Sequence, residues 1–206
     1  MVKPATGAAL CLLLGGCSSY ITGATGDDSS EYGALAECEG TDPWDPEGER
    51  LEAEVMARID AERRRGGQCG EWTFPPRAPL GHEPRLRCAA RRHSLDMATR
   101  EYVGFIDPDG VNLGHQLDAA GYEASVWVAS ASAGWTDPDD LVDSLLQNPV
   151  HCYKLFAAEL ESIGVGVYLA DLPDPTGTTG GAADDTTTAD GIPDYASFWT
   201  LFIAAP

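Results

Sequence analysis

The stretch SIGVGVYLA, residues 162–170, decides the fold. Its residues predict a β-strand, and this strand belongs to the sheet that the helices are expected to cover. A second β-rich run, YASFWTLFIAA at residues 195–205, is its predicted partner, and we expect Phe198 and Trp199 to pack on the sheet. The residues between the two runs, 171–194, are a low-complexity mixture of Gly, Thr, Asp and Pro. Because such a segment cannot fill a core, it predicts a long hairpin loop.

Helical patterns precede these strands. Apolar residues recur at helical spacing from about 49 to 65, where Gly66 ends the pattern, and Pro84 suits the first turn of a second helix. The second helix has one apolar face, which consists of Leu86, Ala89, Ala90, His93 and Met97.

The middle of the chain alternates between the two kinds of pattern. A short helix at 113–122 leads into a β-rich run at 123–132, and a helix follows that Thr136 is expected to cap and Pro149 to stop. Helices followed by strands with an intervening helix predict an α+β domain whose sheet is covered by helices.

Length and charge limit the class of protein. With 206 residues, of which 43% are hydrophobic, the chain can bury one sizeable core, so we expect one folded domain. The formal net charge is -20, and only Lys154 opposes seventeen acidic residues after Arg100. Nucleic acid is excluded as an expected partner, because binding phosphates requires clustered basic residues. The charge is instead typical of a solvated acidic surface on a secreted protein.

The N-terminus predicts export. Residues 1–16 have Lys3 followed by a short apolar run, which is too short to span a bilayer and indicates a signal peptide. The sequence LGGC at 14–17 resembles the lipobox of bacterial lipoproteins, which implies cleavage before Cys17 and acylation of that residue. Residues 17–48 lack apolar periodicity and predict a lipid-anchored flexible tether, so the folded domain is expected at 49–206.

Four cysteines remain in the body and tether once Cys11 is removed with the signal and Cys17 is acylated. An even number in a chain bound for an oxidising compartment predicts two disulfides, with three pairings open, and their spacing does not fit a zinc site. These cysteines are Cys38, Cys69, Cys88 and Cys152.

Six motifs in order resemble the CAP superfamily, also called SCP or PR-1-like, in its bacterial secreted form. They are AARRHSLDMA at 89–98, DPDG at 107–110, AAGY at 119–122, NPVHC at 148–152, IGVGVY at 163–168 and FWTLF at 198–202. The resemblance covers about residues 49–206 and implies a three-layer α/β/α sandwich. It also implies a Cys69–Cys152 disulfide, which leaves Cys38 to pair with Cys88.

The sequence departs from the family at its cleft, where members gather two histidines and two acids. Phe105 stands in place of the first histidine, Ala129 and Ser130 stand within the segment where the family has G-E-N, and only His151 matches. A lone imidazole can neither hold zinc, which needs about three protein ligands, nor act as a general base without an orienting partner. We therefore predict a degenerate cleft at these four positions, with no metal, no cofactor and no catalytic residue.

Two histidines have structural interpretations. His151 is expected to be retained as part of the fold, hydrogen-bonded to a backbone carbonyl, rather than as a working cleft group. His93 lies on the apolar face of the second helix and is interpreted as a satisfied core histidine. Ser94 and Asp96 beside it do not form a triad with it, because neighbouring residues of one helix point in different directions.

Three functional hypotheses follow. The first is a lipid-anchored protein of the bacterial cell envelope, outside the cytoplasm, that binds a small apolar molecule or an envelope polymer without catalysis. The alternative is a hydrolase of peptides or cell-envelope material that acts through a remodelled cleft around His151, for which only Ser130, Ser132 and nearby acids are available as substitutes. The third is a structural surface lipoprotein whose loop 171–194 contacts partners.

Overall fold

The computed structural model describes residues 41, 43–170 and 195–206. The predicted signal peptide, the lipid-attachment residue Cys17, most of the tether and loop 171–194 lie outside the described residues. The helices are α1 Pro46–Arg65, α2 Pro84–Thr99, α3 Gly114–Ala119, α4 Pro138–Gln147 and α5 Pro149–Phe156. The strands are β1 Gly67–Cys69, β2 Trp72–Phe74, β3 Gly81–His82, β4 Val126–Ala133, β5 Ser162–Leu169 and β6 Ser197–Ala205.

A four-stranded sheet in the order β3-β5-β6-β4 forms the centre of the domain. Strands β5 and β6 are antiparallel, with Val165 opposite Leu201, which confirms the predicted strand pair. Strand β4 runs antiparallel to β6 on the other side, and the two-residue β3 runs parallel to β5.

Helices cover both faces of this sheet. Because side chains of a strand alternate between faces, Val165 and Val167 point to a core shared with α1, α4 and α5, whereas Gly164 and Gly166 face α2. Phe202 of β6 belongs to the core on the α2 side. The fold is therefore the predicted α+β, three-layer α/β/α sandwich.

Helix α2 lies unusually close to β5 because two glycines present no side chain to it. A Cβ atom at Gly164 would lie 2.2 Å from the backbone nitrogen of Arg87, and one at Gly166 would lie 2.2 Å from the backbone nitrogen of Arg91. In SIGVGVYLA, valines alternate with glycines. One face of β5 therefore packs in the core, and the other face allows α2 to approach closely.

A buried ion pair connects α1 and α2 around the β5 edge of the sheet. The carboxylate of Glu52 accepts hydrogen bonds from Arg91, with Nη2 at 2.7 Å, and from the backbone N–H of Val167 at 3.1 Å. The side chains of Glu52 and Arg91 are each 1% exposed. Burial raises the pKa of Glu52, whereas the Arg91 guanidinium and the Val167 amide oppose that rise.

The folded body begins before the predicted boundary at residue 49. Helix α1 starts at Pro46, and the Asp45 side chain caps it by accepting from two backbone N–H groups. The indole N–H of Trp44 donates to the Val167 carbonyl at 3.0 Å, so the body extends at least to Trp44. The boundary between tether and domain was predicted too late because contacts with a distant strand, and not helical periodicity, hold these residues.

One further local prediction was wrong. Asp137, not Thr136, caps α4, because Pro138 occupies the first helical position and the Asp137 carboxylate accepts from Asp139 N–H. The segment after α1, for which no strand was predicted, forms the antiparallel hairpin β1–β2 at residues 67–74.

The Cys69–Cys152 disulfide is confirmed. It joins β1 to α5 with a Cα–Cα distance of 5.5 Å, and both residues are almost fully buried. Cys88 is fully buried and disulfide-bonded. Its predicted partner, Cys38, lies outside the described residues, so that pairing stays a prediction.

The close approach of α2 generates a stability prediction. We expect Gly164→Ala to lower the free energy of unfolding by about 3 kcal/mol or more, because the added methyl group meets helix backbone that cannot move aside. Urea unfolding followed by circular dichroism measures the change. The matched control is Gly104→Ala, where nothing lies within 4 Å of the added carbon, and a change within about 0.5 kcal/mol is expected. Equal effects of the two substitutions would contradict the close-packing explanation.

Candidate functional site

The pocket at His151 corresponds to the predicted cleft. Asn148 caps α5 by accepting from Val150 N–H at 3.0 Å, and Pro149 occupies the first turn, so His151 lies in the helix segment beside β4 and β6. The imidazole shares the pocket with Ala129, Ser130 and Lys154. The remaining walls are aliphatic and consist of Val128, Leu145, Leu155, Leu201 and Ile203.

The pocket is small. Its volume is about 20 Å³, which accommodates roughly one water molecule. Small-molecule sites usually have about 300–1,000 Å³. The aliphatic side chains from α4, α5 and β6 therefore occupy the space that a ligand in this cleft would require.

Three of the four predicted cleft residues come together, and one does not. His151, Ala129 and Ser130 line the pocket, but the methyl group of Ala129 belongs to the core cluster on the opposite face of the sheet, with Phe202. Phe105 is absent from the lining and 48% exposed.

The position of Phe105 follows from the loop that carries it. An isolated bridge pairs Ile106 with Asn112, and Arg100 forms ion pairs with Asp107 and Asp109 at 3.1 and 2.7 Å. These contacts, together with the bond from the Leu113 N–H to the Phe105 carbonyl, hold residues 105–113 in a turn that leaves the Phe105 ring partly in solvent. Phe105 is therefore not among the residues that line the pocket with His151.

No orienting partner of the His151 imidazole lies among the described residues. The imidazole makes no hydrogen bond or ion pair with any side chain or carbonyl in the described part of the chain, so the expected bond to a backbone carbonyl was wrong. Burial lowers its pKa, and the positive charge of Lys154 lowers it further. His151 is therefore neutral at pH 7 and faces mainly hydrocarbon.

Acidic residues near the motifs have structural roles. The Asp107 carboxylate accepts from the backbone N–H groups of Val111 and Asp109 at 2.8 and 2.9 Å, and these bonds, with Arg100, lower its pKa. The residues of DPDG form a tight turn, in which the Gly110 N–H donates to the Asp107 carbonyl at 2.9 Å. Within residues 41, 43–170 and 195–206, no three His, Cys, Asp or Glu side chains lie close enough together to hold a metal ion.

His93 is a satisfied core histidine, as predicted. It is 2% exposed, and Nε2 lies 2.9 Å from the Gly104 carbonyl oxygen. Burial lowers its pKa, although the bond to Gly104 opposes that effect. The Ser94 hydroxyl donates instead to the Gly166 carbonyl and to the Thr200 hydroxyl, across the contact between α2 and the sheet. This confirms that Ser94 and His93 do not form a catalytic pair.

A second surface, which sequence reasoning missed, lies beside the disulfide. A groove of about 320 Å³ is lined by Trp72, Pro149, Val150, Tyr153 and Lys154, and we call it the aromatic groove. Trp72 is 66% exposed and Tyr153 46% exposed. One feature of the sequence could have indicated this groove. The implied Cys69–Cys152 bridge brings CGEW and HCYK together, and with them the aromatic residues Trp72 and Tyr153.

The sequence profile of the CAP, or cysteine-rich secretory protein, family matches residues 76–171. No curated protein sequence matches. Among the described helices, none is long and apolar enough to cross a membrane.

Solved structures show the same fold at low identity. An extracellular protein with an SCP domain from Bacillus anthracis is 18% identical with a TM-score of 0.52, covering 80% of this chain and 45% of that protein. An outer surface protein from Borrelia burgdorferi is 12% identical with a TM-score of 0.52, covering 76% of this chain and 94% of that protein. The chain thus spans less than half of the length of the Bacillus protein.

The three-layer sandwich, with a pocket between the sheet and the helix that carries NPVHC, is the arrangement that the predicted resemblance implies. The family match confirms the predicted resemblance, and residues 76–171 have the sequence signature of the CAP superfamily. The site differs from the family pattern in having one imidazole and aliphatic walls.

The lowered pKa values of the two histidines generate a pH prediction. The pKa of each histidine is lower in the folded protein than in the unfolded chain, where it is about 6.5. Such a histidine contributes stability at pH values above the unfolded-state pKa. That contribution is lost as the pH falls, because the unfolded chain then binds the proton more readily. We therefore expect the free energy of unfolding to decrease less between pH 7.5 and 5.5 in His93→Gln than in the wild type. Urea unfolding at several pH values measures this difference. The exposed control His115→Gln should keep the wild-type slope, and the prediction fails if His93→Gln also keeps it.

Proposed function

We propose that the protein is a lipid-anchored CAP-domain protein of the bacterial cell envelope, outside the cytoplasm, that binds an envelope polymer and catalyses no reaction. The observation that carries this proposal is the His151 pocket, in which a single neutral imidazole faces aliphatic side chains in about 20 Å³.

The arrangement around His151 lacks the parts of a hydrolytic site. Ser130 lines the same pocket, but it makes no hydrogen bond with the imidazole, so no base is in position to activate its hydroxyl. No carboxylate orients the imidazole among the described residues, and Asp107 is held in its own turn by Arg100. These observations favour binding over hydrolysis.

The size of the pocket favours a polymer over a small apolar molecule. A cavity with room for one water cannot take an apolar ligand without moving Leu145, Leu155 or Ile203 out of the core. A polymer can bind across the outer surface and leave the core closed.

Several observations support a location outside the cytoplasm. The Cys69–Cys152 disulfide is typical of proteins in oxidising compartments. The Bacillus and Borrelia proteins of the same fold are described as extracellular and outer surface proteins. The LGGC sequence before the tether supports attachment of lipid at Cys17.

Anchoring is tested by fractionating cells that express the full chain. We expect the wild type in the membrane fraction and Cys17→Ser in the soluble extracytoplasmic fraction, because the thiol that would carry the lipid is removed. Cys11→Ser is the matched control, since this cysteine lies within the predicted signal, and it should leave the protein in the membrane. Retention of Cys17→Ser in the membrane would show that the anchor is elsewhere.

Binding without catalysis is tested with the full chain carrying Cys17→Ser and insoluble bacterial cell wall. The protein should sediment with the wall, mass spectrometry should detect no released fragments, and His151→Ala should behave in the same way. Release of fragments by the parent protein and its loss in His151→Ala would establish the hydrolase instead. Failure of the protein to sediment with the wall would count against polymer binding.

A further inference from the structure

We infer that the aromatic groove, lined by Trp72, Pro149, Val150, Tyr153 and Lys154, is a binding site for an uncharged glycan of β-1,4-linked N-acetylhexosamine units. This inference rests on the proposed function, because it assumes contact with an envelope polymer. It assigns that contact to a surface other than the predicted cleft.

The groove is held rigidly by the elements beneath it. The Cys69–Cys152 disulfide joins the hairpin that carries Trp72 to the helix that carries Tyr153. Ring centroids of Trp72 and Tyr153 are 6.4 Å apart at 80°, and those of Phe74 and Tyr153 are 5.3 Å apart at 79°. Phe74 also stacks on Phe156 of the core at 5.5 Å. A platform fixed in this way loses little conformational entropy when a ligand binds.

The chemistry of the walls matches that of a sugar ring. The rings and the aliphatic surface of Pro149 and Val150 offer apolar contact, and the indole N–H, the phenol O–H and the ammonium group of the same lining residues are hydrogen-bond donors. None of these three polar groups has a hydrogen-bond or ion-pair partner in the described part of the chain. A pyranose has an apolar C–H face that stacks on aromatic rings and a hydroxyl edge that pairs with such donors. An acyl chain offers no acceptor to these three donors.

The charges favour a neutral glycan over an acidic one. The chain has a net charge of -20, which repels anionic polymers at long range. Among the residues that line the groove, Lys154 carries the one charge, and its ammonium group can donate a hydrogen bond to a hydroxyl or to an acetamide oxygen without requiring a charged ligand.

The size and shape agree with one or two sugar rings of a longer chain. The groove has about 320 Å³, which lies at the lower end of small-ligand sites. Trp72 and Tyr153 stand nearly at right angles, so one ring can stack on the face of a pyranose while the other contacts its edge. Equatorial β-1,4 links keep successive rings in a flat ribbon that can continue past an open groove.

The test titrates the full chain carrying Cys17→Ser with chitotetraose and follows the tryptophan fluorescence. We expect saturable binding that Trp72→Ala and Tyr153→Ala each weaken by at least about tenfold. Because the ligand is uncharged, raising the salt concentration from about 0.05 to 0.5 M should change the affinity by less than about twofold.

The matched control is Trp127→Ala, which removes another partly exposed indole, on β4, and should leave the affinity within about twofold. Melting temperatures of all variants show whether the fold persists, and depletion on insoluble chitin repeats the measurement without relying on fluorescence. Absence of chitotetraose binding, or unchanged affinity in Trp72→Ala, overturns the inference. If Trp72→Ala still sediments with cell wall as the parent does, the proposed function stands and this site does not.

Discussion

The buried ion pair between Glu52 and Arg91 is the interaction on which the arrangement of the layers depends. It connects the helices of opposite faces around the β5 edge, and both charges are removed from water, which costs several kcal/mol per ion unless hydrogen bonds compensate. Two Arg91 nitrogens and the Val167 N–H supply that compensation at the carboxylate. The Trp44 ring adds a further contact, with the Arg91 guanidinium 5.2 Å from its centroid.

This pair is possible only because α2 can approach the sheet. The backbone nitrogen of Arg91 lies where a side chain at Gly166 would stand, so any larger residue there would lift the helix and move the guanidinium away from Glu52. The ion pair therefore depends on the glycines, because it forms only when α2 packs closely against β5. The opposite end of α1 is fixed differently, by the Arg63 guanidinium, which donates to the carbonyls of Leu155 and Ala78, and by the disulfide just beyond it.

The sequence predicts the layers well and the site less well, for physical reasons. Strands β5 and β6 are apolar runs whose pattern is local, so they were predicted within two residues at each end. Hairpin β1–β2 has strands of three residues among prolines, and its stability comes from the disulfide and from Phe74 on Phe156, which no local pattern shows. The strand register decides which residues of β4 face His151. A shift of one residue would place Ala129 on the face where Ser130 lies, and Ser130 on the opposite face.

Helix α5 connects the closed pocket with the open groove. His151 and Leu155 turn toward the sheet, Val150 and Tyr153 turn outward, and Lys154 lies at the boundary and lines both spaces. Cys152 fixes the rotation of the helix about its own axis, because the disulfide holds that side chain against β1. With the rotation fixed, aliphatic residues close the cleft on one side of the helix and aromatic residues remain in solvent on the other. The same disulfide therefore orients the residues of both spaces, and the surface available to a large ligand lies on the outer side of α5.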